Sequence, residues 1–153
     1  MATLHVTPAP CVGEARNAVN GFHRRFSRGP TNMWISAPDQ ELPQDLVLEW
    51  AEPQQIGQVD LTFDNLTRLR HEQPWECGIR VVDTLCKSYE LARYAGGAWH
   101  DLATAQDNHH RFCRHHFAPV TASKLRLRVL ATHGEDGSAR VYQVRAYRAA
   151  EPG

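Results

Sequence analysis

The last third of the sequence alternates apolar and polar residues, and no other feature constrains the fold as strongly. An extended chain points successive side chains to opposite sides, so a period of two is typical of a strand with one buried face. The first alternating segment reads Leu125, Arg126, Leu127, Arg128 and Val129. A turn rich in Gly, Asp and Ser separates it from the second, 140–147. The pattern predicts two neighbouring strands at the end of an antiparallel sheet.

Similar alternation recurs between turn-forming residues along most of the chain. The additional predicted strands lie at 44–50, 59–63, 89–94, 98–102 and 111–117. The sequence Ala-Gly-Gly at 95–97 predicts a hairpin, whereas a helix is predicted only around 13–19 and an irregular loop from 64 to about 85. About eight short strands at this spacing predict an all-β fold, an antiparallel β-sandwich of the jelly-roll type.

Length and charge limit the number of domains and the expected partners. The 153 residues suffice for one domain, and we expect residues 1–149 to form it and residues 150–153 to be a tail. Seventeen basic residues balance seventeen acidic ones, so neither nucleic acid nor an anionic membrane is an expected partner. No apolar run is long enough to cross a bilayer, and residues 1–6 lack the pattern of a signal peptide.

The four cysteines are scattered along the chain without a regular framework, at Cys11, Cys77, Cys86 and Cys113. This spacing favours a reducing compartment, and with it a cytoplasmic location, over a disulfide scaffold. A bridge between Cys77 and Cys86 remains open, because spacing alone does not define pairing.

Seven short motifs follow one another along the chain. They are Asn17-Ala-Val-Asn-Gly21, Met33-Trp-Ile-Ser36, the segment 46–63 with Glu52-Pro53, Gly96-Gly-Ala-Trp99, Phe117-Ala-Pro-Val-Thr-Ala122, and the segments 125–129 and 141–147. In this order they resemble the galactose-binding-like β-sandwiches, which include discoidin (factor V/VIII type C) domains and many carbohydrate-binding modules. The resemblance covers nearly the whole chain and implies the same fold, with a ligand bound by loops at one end.

A narrower resemblance concerns a different context. Asn32-Met-Trp-Ile-Ser36, Leu61-Thr-Phe-Asp64 and the segments 127–132 and 138–142 are similar to the C-terminal sandwich of bacterial FAD-dependent oxidoreductases. That resemblance implies a catalytic flavin domain as partner. The sequence contains no Gly-x-Gly-x-x-Gly turn, so FAD would be held only by a separate domain, and this chain is expected to have no cofactor of its own.

A structural calcium ion is common in the first family, beside the Asn-Ala-x-Asp-Gly turn. Here Asn20 replaces the acid of the turn and Gln143 replaces an acid of the last strand. Calcium prefers several hard oxygen ligands that include carboxylates, so these replacements argue against it. A hydrogen bond between the two amide side chains is the expected substitute.

Histidines are most concentrated in the segment 108–116, which also contains a cysteine. On a strand, His109, Cys113 and His115 would share one face, and His110 and His116 the other. Because neighbouring histidines would then point apart, the spacing predicts no metal site.

No catalytic residue is predicted. The sequence has neither a Gly-x-Ser-x-Gly elbow nor a His-Glu-x-x-His motif, and its carboxylates are dispersed. Cys113 with a neighbouring histidine could form a nucleophile, but a buried inert cysteine is the more common case.

Three segments combine aromatic rings with amide, imidazole and guanidinium groups, which suit sugar faces and hydroxyls. The candidate ligand-binding residues in them are His23, Arg24, Arg25, Arg28, Arg70, His71, Trp75, Asn108, His109 and His110. Trp75 is the expected stacking platform, whereas the three other tryptophans are expected to pack in the core or the hairpin. The alternatives are a docking module that binds no sugar, because Arg and Trp are also enriched at protein interfaces, and a fragment that contributes residues to a neighbouring catalytic site.

Overall fold

Seven β-strands and one short 3-10 helix form the part of the chain that the structure, a computed structural model, describes: residues 2–7, 13–24, 32–65, 81–135 and 137–148. The strands are β1 (Ala2–Thr7), β2 (Trp34–Ile35), β3 (Gln44–Phe63), β4 (Cys86–Ala95), β5 (Ala98–Ala105), β6 (Phe112–Thr132) and β7 (Arg140–Tyr147). The helix, Ala15–Val19, confirms the helical turn predicted around 13–19. All strand pairs are antiparallel, which confirms the predicted all-β sandwich.

The two longest strands, β3 and β6, each run through both layers of the sandwich. In layer 1 the first half of β3 pairs with β1 and with the second half of β6, which continues to β4 and β5. In layer 2 the second half of β3 lies between β7 and the first half of β6, and β2 flanks β7. The pairing shifts register between Glu49 and Gln54 and again between Ile56 and Gln58.

These register shifts correct two of the strand predictions. The sequence predicts separate strands at 44–50 and 59–63, because residues 51–54 read as a turn, and separate strands at 111–117 and 125–130. Each pair is one continuous strand. The physical reason is that a bulge bends a strand sharply without ending its pairing, so the chain passes between layers with its ladder largely intact.

The inner faces of both layers meet in one core. Layer 1 contributes Leu46, Leu48, Leu91, Leu125, Leu127 and Val129, and layer 2 contributes Val59, Leu61, Phe63, Val141 and Val144. Each of these side chains is at most 4% exposed. Trp34 is fully buried, and Trp50 packs against the core, as expected for both. The alternation read in the sequence therefore records which side of each strand faces this core.

The predicted hairpin joins β4 and β5 through a two-residue turn. Ala95 pairs with Ala98, and the two residues between them, Gly96 and Gly97, have φ angles of 61° and 84°. Positive φ at both central positions is the requirement of a type I′ turn, which glycine meets without strain. Trp99 packs edge-on against Tyr94 with 5.2 Å between ring centroids, so its predicted role in the hairpin is confirmed.

Two further predictions concern the membrane and the cysteines. Within the described ranges, no helix has the length and apolar character needed to cross a bilayer. Cys86 and Cys113 are both free thiols, so Cys86 is not bridged to Cys77. Burial raises the pKa of the Cys86 thiol strongly, which keeps it protonated and unreactive at neutral pH.

Candidate functional site

One end of the sandwich gathers two of the predicted ligand-binding segments. We call it the rim and define it by residues 20–24, 106–111 and 133–135. The end of β3 reaches it, because the Phe63 backbone N–H donates to the Arg111 carbonyl at 2.8 Å. The Asn108 N–H likewise donates to the carbonyl of Lys87 near the start of β4, also at 2.8 Å. Rigid strands on both sides therefore hold the loop 106–111 in place.

Arg111 joins the first two parts of the rim. Its Nη2 donates a hydrogen bond to the His23 carbonyl, and its guanidinium lies 5.3 Å from the centroid of the Tyr142 ring. Asn32 holds the adjacent residue, since its Nδ2 donates to the Arg24 carbonyl at 3.4 Å. The exposed side chains of His23 and Arg24 are thus brought beside the loop 106–111. Sequence reasoning missed Arg111, although it directly follows the predicted Asn108-His-His110 segment.

Asn108 shapes this loop from within. It is 7% exposed, and its Nδ2 donates to the carbonyls of Cys86 at 2.8 Å and His110 at 2.9 Å. Its Oδ1 accepts from the His110 N–H at 3.0 Å and from the Cys113 thiol at 3.3 Å. Two donors and two acceptor positions are the full capacity of an amide side chain. Asn108 therefore orders the loop and has no group left for a ligand.

His109 and His110 are both exposed on the loop that precedes β6. His109 Nε2 lies 3.3 Å from Asp107 Oδ2, and its ring centroid is 5.0 Å from that of His133. His133 in turn places its Nε2 2.7 Å from the Asn108 carbonyl. These contacts connect the turn 133–135 to the rest of the rim.

The strand alternation predicted for the histidine-rich segment begins only at Phe112. From there Cys113 and His115 point inward, while His116 is exposed. His115 Nε2 lies 2.9 Å from the Tyr89 hydroxyl, and burial lowers the pKa of His115 and raises that of Cys113. Among the residues that the structure describes, no group of three or more His, Cys, Asp or Glu side chains could hold a metal ion.

The residues at the calcium position of the galactose-binding-like family are not suited to calcium here. Asn20 already uses its Oδ1 to accept the Phe22 N–H at 2.9 Å, in a local turn. Gln143 is 8% exposed, and its Nε2 has no hydrogen-bond partner, so the expected bond between these two amides is not formed. Neither position supplies a carboxylate, and calcium does not fit this donor set.

Half of the predicted ligand-binding residues lie outside the described ranges. They are Arg25, Arg28, Arg70, His71 and Trp75. The structure brings the other five together at the rim. Four of them have exposed side chains, and the buried Asn108 orders the loop. Phe22, which sequence reasoning did not select, is 51% exposed within the same rim.

No protein-family model matches the sequence, and no curated protein matches it significantly. Solved structures do match. A family 32 carbohydrate-binding module of C. perfringens NanJ in complex with galactose aligns at 15% identity over 95% of this chain and 92% of that chain, with a TM-score of 0.71. The family 32 carbohydrate-binding module of Streptococcus pneumoniae EndoD aligns at 18% identity over 97% and 96%, with a TM-score of 0.71. The chain has the galactose-binding-like β-sandwich fold.

A third structure places this fold in a longer chain. SpGH29 aligns with 98% of the present chain at 15% identity and a TM-score of 0.68, but the alignment covers only 27% of SpGH29. At these identities the likeness concerns the fold, because one fold supports many functions.

Proposed function

We propose that this chain is a non-catalytic module that binds carbohydrate through its rim. The observation on which this proposal depends is the Arg111 contact to the His23 carbonyl, which joins two loops rich in polar planar side chains. Imidazole and guanidinium N–H groups suit sugar hydroxyls, and an exposed aromatic ring suits the C–H face of a sugar. Phe22, His23, Arg24 and His110 supply these groups within the described rim.

The structurally similar proteins support this proposal. Among them, NanJ is described in complex with galactose, and a C. perfringens module is described in complex with GalNAc-β-1,3-galactose. The alignment with one part of SpGH29 supports a place within a larger enzyme. An FAD-dependent oxidoreductase as that enzyme remains a prediction from the sequence, because the similar structures reported above give it no support.

Isothermal titration with galactose and GalNAc-β-1,3-galactose tests the proposal. We expect Phe22→Ala and His110→Ala each to weaken binding by about five- to tenfold, which corresponds to the loss of one hydrogen bond or one partial stacking contact. Trp75→Ala tests the predicted platform in the same assay and should abolish detectable binding. His100→Ala is the matched control, since His100 is exposed beside the β4–β5 turn at the opposite end of the sandwich. Equal affinities in all variants would contradict a sugar site at the rim.

A second candidate function is docking to a catalytic domain. It is favoured by two exposed apolar side chains in the segment that leads to Arg24, namely Val19 at 41% and Phe22 at 51%. Exposed aromatic and arginine side chains are frequent at the centre of protein interfaces. Association of the chain with a flavin domain, weakened by the double substitution of Arg24 and Arg25 to Ala, would support docking. A change in the partner's kcat on association would instead support residues contributed to a neighbouring active site.

A further inference from the structure

The outer face of layer 2 carries a regular array of side chains that the rim does not use. In the stretches of β3 and β6 that pair here, and at Val144 and Ala146 of β7, alternate residues face the core, so the residues between them lie on the opposite face. Of these, Thr62 and Gln143 are only 5% and 8% exposed. The pairing registers align these outward residues in three rows across β6, β3 and β7. The rows are Phe112–Thr62–Gln143, Arg114–Asp60–Arg145 and His116–Gln58–Tyr147. We call this array the layer 2 face.

A bidentate ion pair fixes the centre of the layer 2 face. Arg114 donates from Nε to Asp60 Oδ1 at 2.9 Å and from Nη2 to Oδ2 at 2.8 Å. Gln58 Nε2 donates to the same Oδ1 at 2.9 Å. These hydrogen bonds, led by that of Arg114, hold the pKa of Asp60 below its ordinary value. Asp60 is therefore an ionised carboxylate at neutral pH. The two parallel hydrogen bonds to its oxygens orient the Arg114 guanidinium.

The Arg114 guanidinium is held from a second side by an aromatic ring. It lies 5.3 Å from the centroid of Phe112, while the Arg114 side chain remains 49% exposed. Its two Nη1 hydrogens and one Nη2 hydrogen are not used by Asp60, because a guanidinium has five N–H donors and this pair takes two. Arg114 thus presents oriented donors to the solvent.

The remaining charges on the layer 2 face are positive. Arg145 stands directly opposite Asp60 on β7 and is exposed, and within the described ranges no carboxylate pairs with it. His116 is exposed in the next row, near enough to lower the pKa of Asp60 slightly further. One carboxylate therefore faces two guanidiniums, which gives a positive surplus without any contribution from His116. The face has a surplus of positive charge, although the whole chain has none.

Exposed aromatic rings accompany this positive charge. Phe112 is 49% exposed and Tyr147 is 38% exposed, and they stand at diagonally opposite corners of the array. With strands about 4.8 Å apart and a rise of about 3.3 Å per residue, the nine Cα atoms span about 10 by 13 Å. A short ligand fits its size.

We propose that the layer 2 face is a second binding site, separate from the rim, for a short acidic saccharide. The ligand's carboxylates would accept hydrogen bonds from Arg114 and Arg145, and its sugar rings would pack on Phe112 and Tyr147. The charge surplus favours an anionic ligand, the aromatic corners favour one with C–H faces, and the short span of the array favours a small one. This inference does not depend on sugar binding at the rim.

The test uses the full chain, trigalacturonate as the acidic probe and its methyl ester as the matched neutral probe. Two-dimensional NMR should show trigalacturonate shifting the backbone amides around Asp60, Arg114 and Arg145. The methyl ester should bind at least about fivefold more weakly, since it lacks the charge that the guanidiniums recognise. Equal binding of the two probes, shifts confined to the rim, or no shifts up to about 10 mM probe, a concentration that would detect an affinity of about 1 mM, would overturn the proposal.

Two variants sharpen the test. Arg145→Gln and Phe112→Ser alter exposed side chains, so the fold should be retained, and each should weaken trigalacturonate binding by about five- to tenfold. Arg148→Gln is the matched control, because Arg148 is exposed but follows the last position of the array. Unchanged affinity in Arg145→Gln would overturn the proposal. So would a hexaglutamate peptide that shifts the same amides at lower concentration than trigalacturonate, since the surface would then be a peptide-docking site.

Discussion

The outer faces of the two layers differ in how their charges are compensated. On layer 1, Arg128 donates to Asp45 at 2.7 and 2.9 Å, and Lys124 Nζ lies 3.1 Å from Glu49 Oε1. Each of these cations on β6 stands opposite its carboxylate on β3. Each of these two pairs is electrically neutral.

The cation between those two pairs is also engaged on layer 1. Arg126 stands opposite Val47, and its guanidinium lies 4.6 Å from the centroid of the Trp99 ring. On layer 2, by contrast, Arg145 has neither a carboxylate nor a ring as partner among the described residues. The comparison teaches that strand alternation alone does not distinguish a solvated face from a binding face. What distinguishes them is the number of charged groups left without compensation.

The largest effect on stability is expected at the inner faces, where the two layers should behave alike. Leu61 in layer 2 and Leu127 in layer 1 are both fully buried in the same core. Each substitution, Leu61→Ala and Leu127→Ala, should lower the free energy of unfolding by about 3 kcal/mol, through lost burial and the cavity left behind. Urea denaturation measures both. A loss of less than about 1 kcal/mol at either position would contradict its burial in this core.

The Asp60–Arg114 pair in layer 2 should make the stability of the protein fall at acidic pH. Arg114 holds the pKa of Asp60 below the ordinary value of 3.8, so the unfolded state binds its proton at higher pH than the folded state does. The stabilisation by ionised Asp60 is therefore complete above about pH 5 and is lost as the pH falls through and below 4. Asp60→Asn should be less stable at pH 7 and should show a flatter fall of the melting temperature between pH 5 and 3.

Melting curves from pH 7 to pH 3 measure this effect. Asp45→Asn provides the layer 1 reference, because Asp45 accepts the same two-pronged contact from Arg128. If the melting temperature of Asp60→Asn falls between pH 5 and 3 as steeply as that of the native chain, a group other than Asp60 causes the fall.

The sequence predicts the fold well because the evidence for it is local. Alternation depends on neighbouring residues, so the segments 125–130 and 140–147 and the hairpin at 95–97 can be recognised directly. The continuity of β3 could not be predicted, because Pro53 and its polar neighbours read as a turn. Only the pairing with β6 shows that they are a bend within a strand. The edge strand β1, Ala2–Thr7, was missed although its residues also alternate.

The candidate site was predictable only in part, because its geometry depends on distant residues. His109 and His110 could be selected from composition, but the contact of Arg111 with His23 joins positions 88 residues apart. The bond between Arg114 and Asp60 spans 54 residues. A single sequence shows which residue types are present, whereas the pairing registers decide which of them meet.

The smallest predicted effect is a difference in stability between variants of the two outer faces. Arg126→Gln should lower the free energy of unfolding by about 0.5–1 kcal/mol, because it removes the cation–π contact with Trp99. Arg145→Gln should change it by less than about 0.5 kcal/mol, since Arg145 is exposed and has no partner to lose within the described ranges. Chemical denaturation of both variants beside the native chain resolves this difference. A loss of more than about 1 kcal/mol in Arg145→Gln would show that Arg145 stabilises the folded state and is not free to bind a ligand.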